Sequence, residues 1–183
     1  MNAFLCPKCH KIQPLREMNE FQRLSLDSCF ELDLVHLEKQ YFQLQRKLHP
    51  DNFVGASALE KDFSKSHSAA VNHSYIILKN PLKRAEHLLQ IQGVALSDKS
   101  TGVEDPNLLM EVMEMREAID EVKSASALAH LSNHIRHIFE KGLEDLNHYF
   151  IQKLYAQAFK ELQRLKYINN IMHECSVLLK KFV

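Results

Sequence analysis

The sequence predicts an all-α protein divided into an N-terminal helical hairpin and a C-terminal three-helix bundle. Three observations carry that reading. Only four Gly and five Pro interrupt 183 residues otherwise rich in Leu, Glu, Lys and Gln. Apolar residues recur every three or four positions through most of the chain. A polar stretch of Ser, Asp, Lys, Thr and Gly over residues 97–106 reads as a linker. The expected organisation is therefore a tail (1–18), a hairpin domain (19–96), the linker and a bundle (107–183). A hydrophobic content of 45% is enough to give two small domains real cores.

The elements follow in order. A short helix is expected over Asn19 to Leu24, with a loop through Cys29. Asp33 is placed to cap the next helix, along which Leu34, Leu37, Tyr41, Leu44 and Leu48 form one apolar stripe. Lys39, Gln43, Arg46 and Lys47 fall on the other side, giving a basic outer face. Pro50 lacks an amide donor and disfavours helical geometry at His49, so this helix should stop near Leu48. The His49-Pro50-Asp51 loop runs on to about Gly55. A third helix is expected from Ser57 to Lys79, with Phe63, Ala70, Ile77 and Leu78 among its inward residues. Asn80-Pro81 breaks it, and a short helix from Leu82 to Gln90 follows, closed by Gly93.

Beyond the linker the periodicity predicts helices over Asn107–Val122, Ala125 to about Tyr149, and Phe150–Lys181. In the middle one, Leu128, Leu131, Ile135, Ile138, Leu146 and Tyr149 stand at near-heptad spacing. Three such helices bury their stripes most economically in an antiparallel bundle.

Composition excludes several function classes. The formal net charge is zero, so no global field favours nucleic acid. No apolar run approaches the roughly 20 residues that span a bilayer. Met1 to Pro14 has neither a secretory apolar core nor an Arg-rich amphipathic pattern. The protein is expected to act where it is made, unless a targeting segment lies outside this sequence. Eleven histidines invite a search for metal sites. His67 and His73, and His130, His134 and His137, have helical spacings, but no Glu lies between His130 and His134 as a zincin motif requires. These are read as exposed helix-face histidines. With no phosphate-binding glycine loop, nucleophile elbow or paired carboxylates, no independent catalytic role is expected.

Cys6-Pro7-Lys8-Cys9 forms a C-x2-C knuckle. It fits a disordered tail with two exposed thiols, half of a tetrahedral zinc site completed elsewhere, or a redox dithiol. Cys29 and Cys175 read as packed or incidental thiols.

A short helix, a basic second helix, His49-Pro50-Asp51 and a long third helix together resemble a J-domain. The match extends further. Phe42-Gln43-Leu44-Gln45-Arg46, then Asn80-Pro81-Leu82-Lys83-Arg84-Ala85-Glu86, then Leu109-Met110-Glu111 through Arg116-Glu117, resemble the HscB family over nearly the whole chain. These are J-type co-chaperones of iron–sulfur cluster biogenesis.

The resemblance implies an L-shaped, two-domain fold and a two-ended adaptor. Its J-domain would stimulate the ATPase of a 70-kDa heat-shock chaperone. Its C-terminal bundle would bring the iron–sulfur cluster scaffold protein to that chaperone and promote cluster transfer. His49, Pro50, Asp51, Lys39, Arg46 and Lys47 would contact the chaperone. Asp51 offers a carboxylate on a stiff turn, suited to a partner Arg, and the cations would steer encounter.

The resemblance places scaffold binding on Leu109, Met110, Met113, Glu114, Glu117, Glu121 and Tyr167. Residues 104–121 carry seven acidic residues and one basic residue. Methionines make an adaptable apolar contact and carboxylates can orient it. Periodicity by itself favours Leu109, Met113 and Tyr167 as core, with the glutamates as a solvated flank. Met113 and Tyr167 stand where some relatives carry Leu and Phe, which keeps apolar bulk. Cys6 and Cys9 resemble the second half of the tetracysteine zinc module of animal-type members. That favours the mitochondrial matrix, with the cytoplasm of bacterial relatives as the alternative. No nucleic acid or membrane partner is implied. A J-domain protein whose bundle serves a different client is the competing reading.

Overall fold

The computed structural model describes residues 4–9, 11–95 and 106–181. Apart from an isolated antiparallel bridge between Leu5 and Ile12, their regular structure is helical, in the order α1 (Glu20–Arg23), α2 (Leu34–Leu48), α3 (Ala58–Lys79), α4 (Pro81–Ile91), α5 (Pro106–Asp120), α6 (Ala125–Ile151) and α7 (Tyr155–Leu179). A single 3-10 turn, Pro50–Phe53, separates α2 from α3. The chain forms two compact units, Met1–Ile91 and Gln92–Val183.

In the first unit the helix starts are set by their caps. Asn19 and Gln22 make a capping box at α1, and Ser57 and Glu60 make one at α3. The Asp33 carboxylate accepts the Val35 and His36 amides at the start of α2. Ser57 also pulls the Glu60 carboxyl below its ordinary range by hydrogen bonding to the charged form.

α2 and α3 form an antiparallel hairpin. Leu37, Leu44 and Leu48 are buried against the side of α3 that holds Val71 and Leu78. Leu34 departs from the expected stripe: it is 49% exposed because the hairpin packing begins a turn later, at Leu37. α3 departs further. Its buried face is Ser64, His67, Ser68, Val71, Ser74 and Leu78, while Phe63, Ala70 and Ile77 are only half-buried. The serines are inward because they bond across the seam. Ser64 donates to the Leu48 carbonyl at 2.7 Å, and Ser68 donates to Gln45 Oε1 at 2.9 Å. Gln45 Nε2 and the Tyr41 hydroxyl both donate to Asn72 Oδ1, at 2.6 and 2.9 Å, and Tyr41 stacks on Tyr75 at 4.3 Å.

α4 closes the unit by burying Leu82, Ala85, Leu88 and Leu89. Arg84 is buried with it and donates to the Leu78 carbonyl at 2.6 Å, satisfying a group that α3 leaves open at its end.

In the N-terminal segment, described residues on either side of position 10 pair antiparallel through Leu5 and Ile12, where the sequence suggested a tail. Cys6 N donates to Lys11 O and Gln13 N to Phe4 O, each at 2.9 Å. Phe4 and Ile12 are buried, and Phe4 meets the His67 ring edge-on at 5.2 Å. His67 is therefore a core histidine, only 2% exposed, and not a helix-face one. Its Nε2 donates to Gln13 O at 2.8 Å, and its buried Nδ1 has no partner. Burial lowers its pKa, as expected for an imidazole that must stay neutral there.

In the second unit α6 and α7 cross closely at Gly142, where a Cβ would lie 2.5 Å from Leu165 Cδ2 and 2.7 Å from Glu161 Oε1. Leu128, Ile135 and Leu146 from α6 and Leu162, Leu165, Ile168, Ile171 and Cys175 from α7 make the core. Leu131, Ile138 and Tyr149 are half-buried flanks of the expected stripe. Cys175 is buried and Cys29 exposed.

The junction of α6 and α7 also differs from expectation. α6 runs to Ile151, and α7 starts at Tyr155 and not at Phe150. Lys153 reverses the chain in the left-handed region at φ 58°, a role usually given to Gly or Asn. The expected linker falls on residues outside those described, except Pro106, which opens α5.

Candidate functional site

Two surfaces bring the expected functional residues together, one in each unit. The first surrounds the end of α2. His49 leaves helical geometry at ψ 134° but still donates its backbone N–H to Gln45 O at 2.9 Å. Pro50 starts the 3-10 turn, and Asn52 N returns to His49 O at 3.0 Å. The Asn52 side chain then donates to Arg46 O at 2.7 Å, tying the turn back onto α2. Ser64 fixes the same corner from α3 through the Leu48 carbonyl.

These bonds leave the Asp51 carboxylate projecting, with its side chain 85% exposed. His49 Nδ1 lies 3.3 Å from Asp51 N and 3.5 Å from Asp51 Oδ2. One nitrogen cannot serve both. The ring nitrogen accepts the Asp51 backbone N–H, and the carboxylate remains exposed.

Lys39, Arg46 and Lys47 are all exposed, and none of them makes an ion pair among the described residues. Their charges are free to act on a second molecule. The pairing within α2 and α3 lies at the opposite edge, where Lys79 donates to Tyr75 and Tyr75 to Glu38.

The second surface lies on α5. Val112 and Ile119 face the bundle core. Leu109, Met110 and Met113 are 42%, 62% and 58% exposed on the other side, followed along the helix by exposed Glu114, Glu117 and Glu121. Three large apolar side chains in water on a helix with only two buried residues are informative. The reading of Leu109 and Met113 as core is thereby excluded.

α5 is held parallel to α7 by two ion pairs. Arg164 grips both Glu111 oxygens at 2.6 and 2.7 Å and Glu161 at 2.9 Å, while Arg116 meets Glu174 at 3.2 Å. Those hydrogen bonds raise the Arg164 pKa, and burial raises that of Glu161. Tyr167 sits half-buried on α7 between these two clamps, one turn beyond Arg164.

The knuckle is the third feature. The Cys9 and Lys8 backbone N–H groups point at the Cys6 sulfur and lower its pKa. Such a turn suits a thiolate metal ligand, so Cys6 and Cys9 fit one half of a tetrahedral zinc site. Among the described residues no three His, Cys, Asp or Glu side chains cluster to complete one.

Sequence reasoning missed Asn52, Ser64 and Gln45, because polar residues that bond to a backbone carbonyl or a neighbour leave no periodic signal. It also passed over the outward positions of Val35 and Phe42, which helical spacing could have shown.

A family model described as the HSCB C-terminal oligomerisation domain matches residues 104–176. The co-chaperone protein HscB homolog of Shewanella loihica is 36% identical over 164 residues, which cover 86% of this chain and 95% of that protein. The chain belongs to the HscB family of iron–sulfur cluster co-chaperones.

The iron–sulfur cluster co-chaperone protein HscB of Homo sapiens is 32% identical, over 98% of this chain and 76% of its own length. The crystal structure of human HscB superposes with a TM-score of 0.91 at 29% identity, covering 97% of this chain and 90% of that one. The chaperone HscB from Vibrio cholerae gives 0.82 at 31% identity, covering 91% of this chain and all of its own, 100%. The fold is thus that of HscB, an N-terminal J-domain followed by a C-terminal helical domain. An HscB co-chaperone is a regulator. Its relatives occur in bacteria and in humans, and no helix among the described residues is long and apolar enough to cross a membrane.

Proposed function

We propose that this HscB protein joins two partners. Its J-domain stimulates ATP hydrolysis by a 70-kDa heat-shock chaperone, and its α5–α7 face carries the iron–sulfur cluster scaffold protein to that chaperone for cluster transfer. The observation that carries the first half is the exposed Asp51 carboxylate, on a turn tied down by Asn52 and Ser64 at the end of the helix whose Lys39, Arg46 and Lys47 make no ion pair among the described residues. An exposed carboxylate on a turn whose backbone is already held can take a partner guanidinium in bidentate fashion.

Lys39, Arg46 and Lys47 raise the encounter rate with an acidic surface, and His49 offers Nε2–H beside the carboxylate. The scaffold face is Leu109, Met110 and Met113 as apolar contact, Glu114, Glu117 and Glu121 as its charged margin, and Tyr167 from α7. The competing reading, a bundle that serves another client, finds no specific support in this surface.

Cys6 and Cys9 supply two thiolates to a structural zinc ion whose remaining ligands lie elsewhere. When bound, zinc would cross-link the knuckle and do no chemistry. The cysteine knuckle at Cys6 and Cys9 favours the mitochondrial matrix, with the cytoplasm as the alternative.

The test is the single-turnover ATPase rate of the chaperone with added native protein or Asp51→Asn. Native protein should accelerate hydrolysis, and the neutral isostere should lose at least about tenfold of that effect. Equal stimulation by both would remove Asp51 from the mechanism.

A further inference from the structure

The outer face of α2 is not simply basic. Val35, Lys39, Phe42 and Arg46 stand at i, i+4, i+7 and i+11, so an apolar, a basic, an apolar and a basic side chain share one stripe. Val35 is 77% exposed and Phe42 is 59% exposed. Phe42 touches the tilted Tyr41 ring at 5.2 Å, but it belongs to neither the hairpin seam nor the core. Its phenyl ring is exposed between two cations that make no ion pair among the described residues.

The stripe leads into the His49-Pro50-Asp51 turn, since Arg46, its last member, carries the carbonyl that Asn52 clamps. It is therefore continuous with the surface assigned above to the chaperone, and its charge requires an acidic partner.

The geometry points to Phe42, supported by Val35, as the apolar anchor of the chaperone interface. Its occupant is an apolar depression bordered by carboxylates on the 70-kDa chaperone. This rests on the proposed function and adds to it a division of labour. Lys39 and Arg46 govern how fast the complex forms, whereas Phe42 governs how long it lasts and which chaperone is accepted. Interfaces draw most of their affinity from a few buried aromatic anchors and their on-rate from surrounding charge.

The two contributions separate with salt. Exposed charge pairs are screened at roughly 0.5 M ionic strength, while burial of a phenyl ring is not. The experiment measures the concentration of this protein giving half-maximal stimulation of the chaperone ATPase, at low and high salt. It compares native protein, Phe42→Ala, Phe42→Leu, the Lys39→Ala/Arg46→Ala pair and Asp51→Asn. Phe42→Ala should weaken the half-maximal concentration by about tenfold at both salt levels, with Phe42→Leu recovering most of the loss. The charge pair should cost about tenfold at low salt and little at high salt. Because Phe42 is exposed and Ala favours helix, the variant keeps its fold, checked by circular dichroism.

If Asp51→Asn abolishes stimulation while Phe42→Ala matches native protein at both salt levels, the anchor is wrong and the co-chaperone reading stands. If native protein gives no stimulation at all, both fall together.

Discussion

The carboxylate of Asp51 and the imidazole of His67 show how position decides what a polar residue does in this protein. Among the described residues the Asp51 carboxylate is approached only by its neighbour's ring, and it stands exposed on a turn that other side chains hold. Asn52→Ala removes the bond to Arg46 O and loosens that turn without touching Asp51. Stimulation should fall several-fold, on the order of one lost hydrogen bond, while the melting temperature barely moves. An unchanged rate would show that the turn needs no clamp.

His67 is the opposite case. Its Nε2–H is taken by Gln13 O, and protonating Nδ1 would bury an unpartnered charge against Phe4. Its folded pKa is lowered from 6.5, so the unfolded chain binds more protons than the folded one below that value. The contribution is complete above about pH 6.5 and is lost as pH falls through the lowered value. Thermal melts between pH 7.5 and 5 should therefore show native protein losing stability more steeply than His67→Gln. Parallel curves would contradict that reading. None of this was legible in the sequence, because nothing in an i, i+4 pattern distinguishes a satisfied core histidine from a surface one.

At the scale of elements, chemistry that acts on neighbouring residues was legible and chemistry that acts across space was not. α2 begins and ends where Asp33 and Pro50 require, since a cap and a missing amide are local causes. The core face of α3 was misread for the opposite reason. Its serines are inward because of the Leu48 carbonyl and Gln45 on another helix. Likewise no Gly or Pro marks the reversal at Lys153, so the apolar rhythm of α6 and α7 runs through it unbroken.

Gly142 carries the corresponding prediction for the bundle. A methyl there would press on Leu165 and Glu161, with overpacking of about 1–3 kcal/mol partly offset by the roughly 1 kcal/mol helix preference of Ala over Gly. Gly142→Ala should thus lower stability by up to about 2 kcal/mol in urea unfolding, with loss of α6–α7 packing. A stabilised variant would mean that the two helices separate freely. Arg164→Ala should weaken the bundle by a similar amount, about 1–2 kcal/mol, because its partners are only partly buried.

For the whole molecule, the candidate sites were legible from resemblance and their availability only from structure. Periodicity favoured Leu109 and Met113 as core residues, because an apolar helix face looks alike whether it meets a neighbouring helix or a partner protein. Their exposure separates the two. Asp51 was readable from Pro50 beside it, but the absence of ion pairs on Lys39, Arg46 and Lys47 depends on what the fold brings near them.

The central claim is that one chain couples two partners through separate surfaces. The measurement that tests it most directly is the ATPase rate of the 70-kDa chaperone with and without the iron–sulfur scaffold, for native protein, Asp51→Asn and Leu109→Ala/Met113→Ala. The account predicts that Asp51→Asn loses stimulation under both conditions, while the double variant keeps basal stimulation and loses only the increment that scaffold adds. Stimulation indifferent to scaffold in native protein, or a double variant with the full increment, would contradict it.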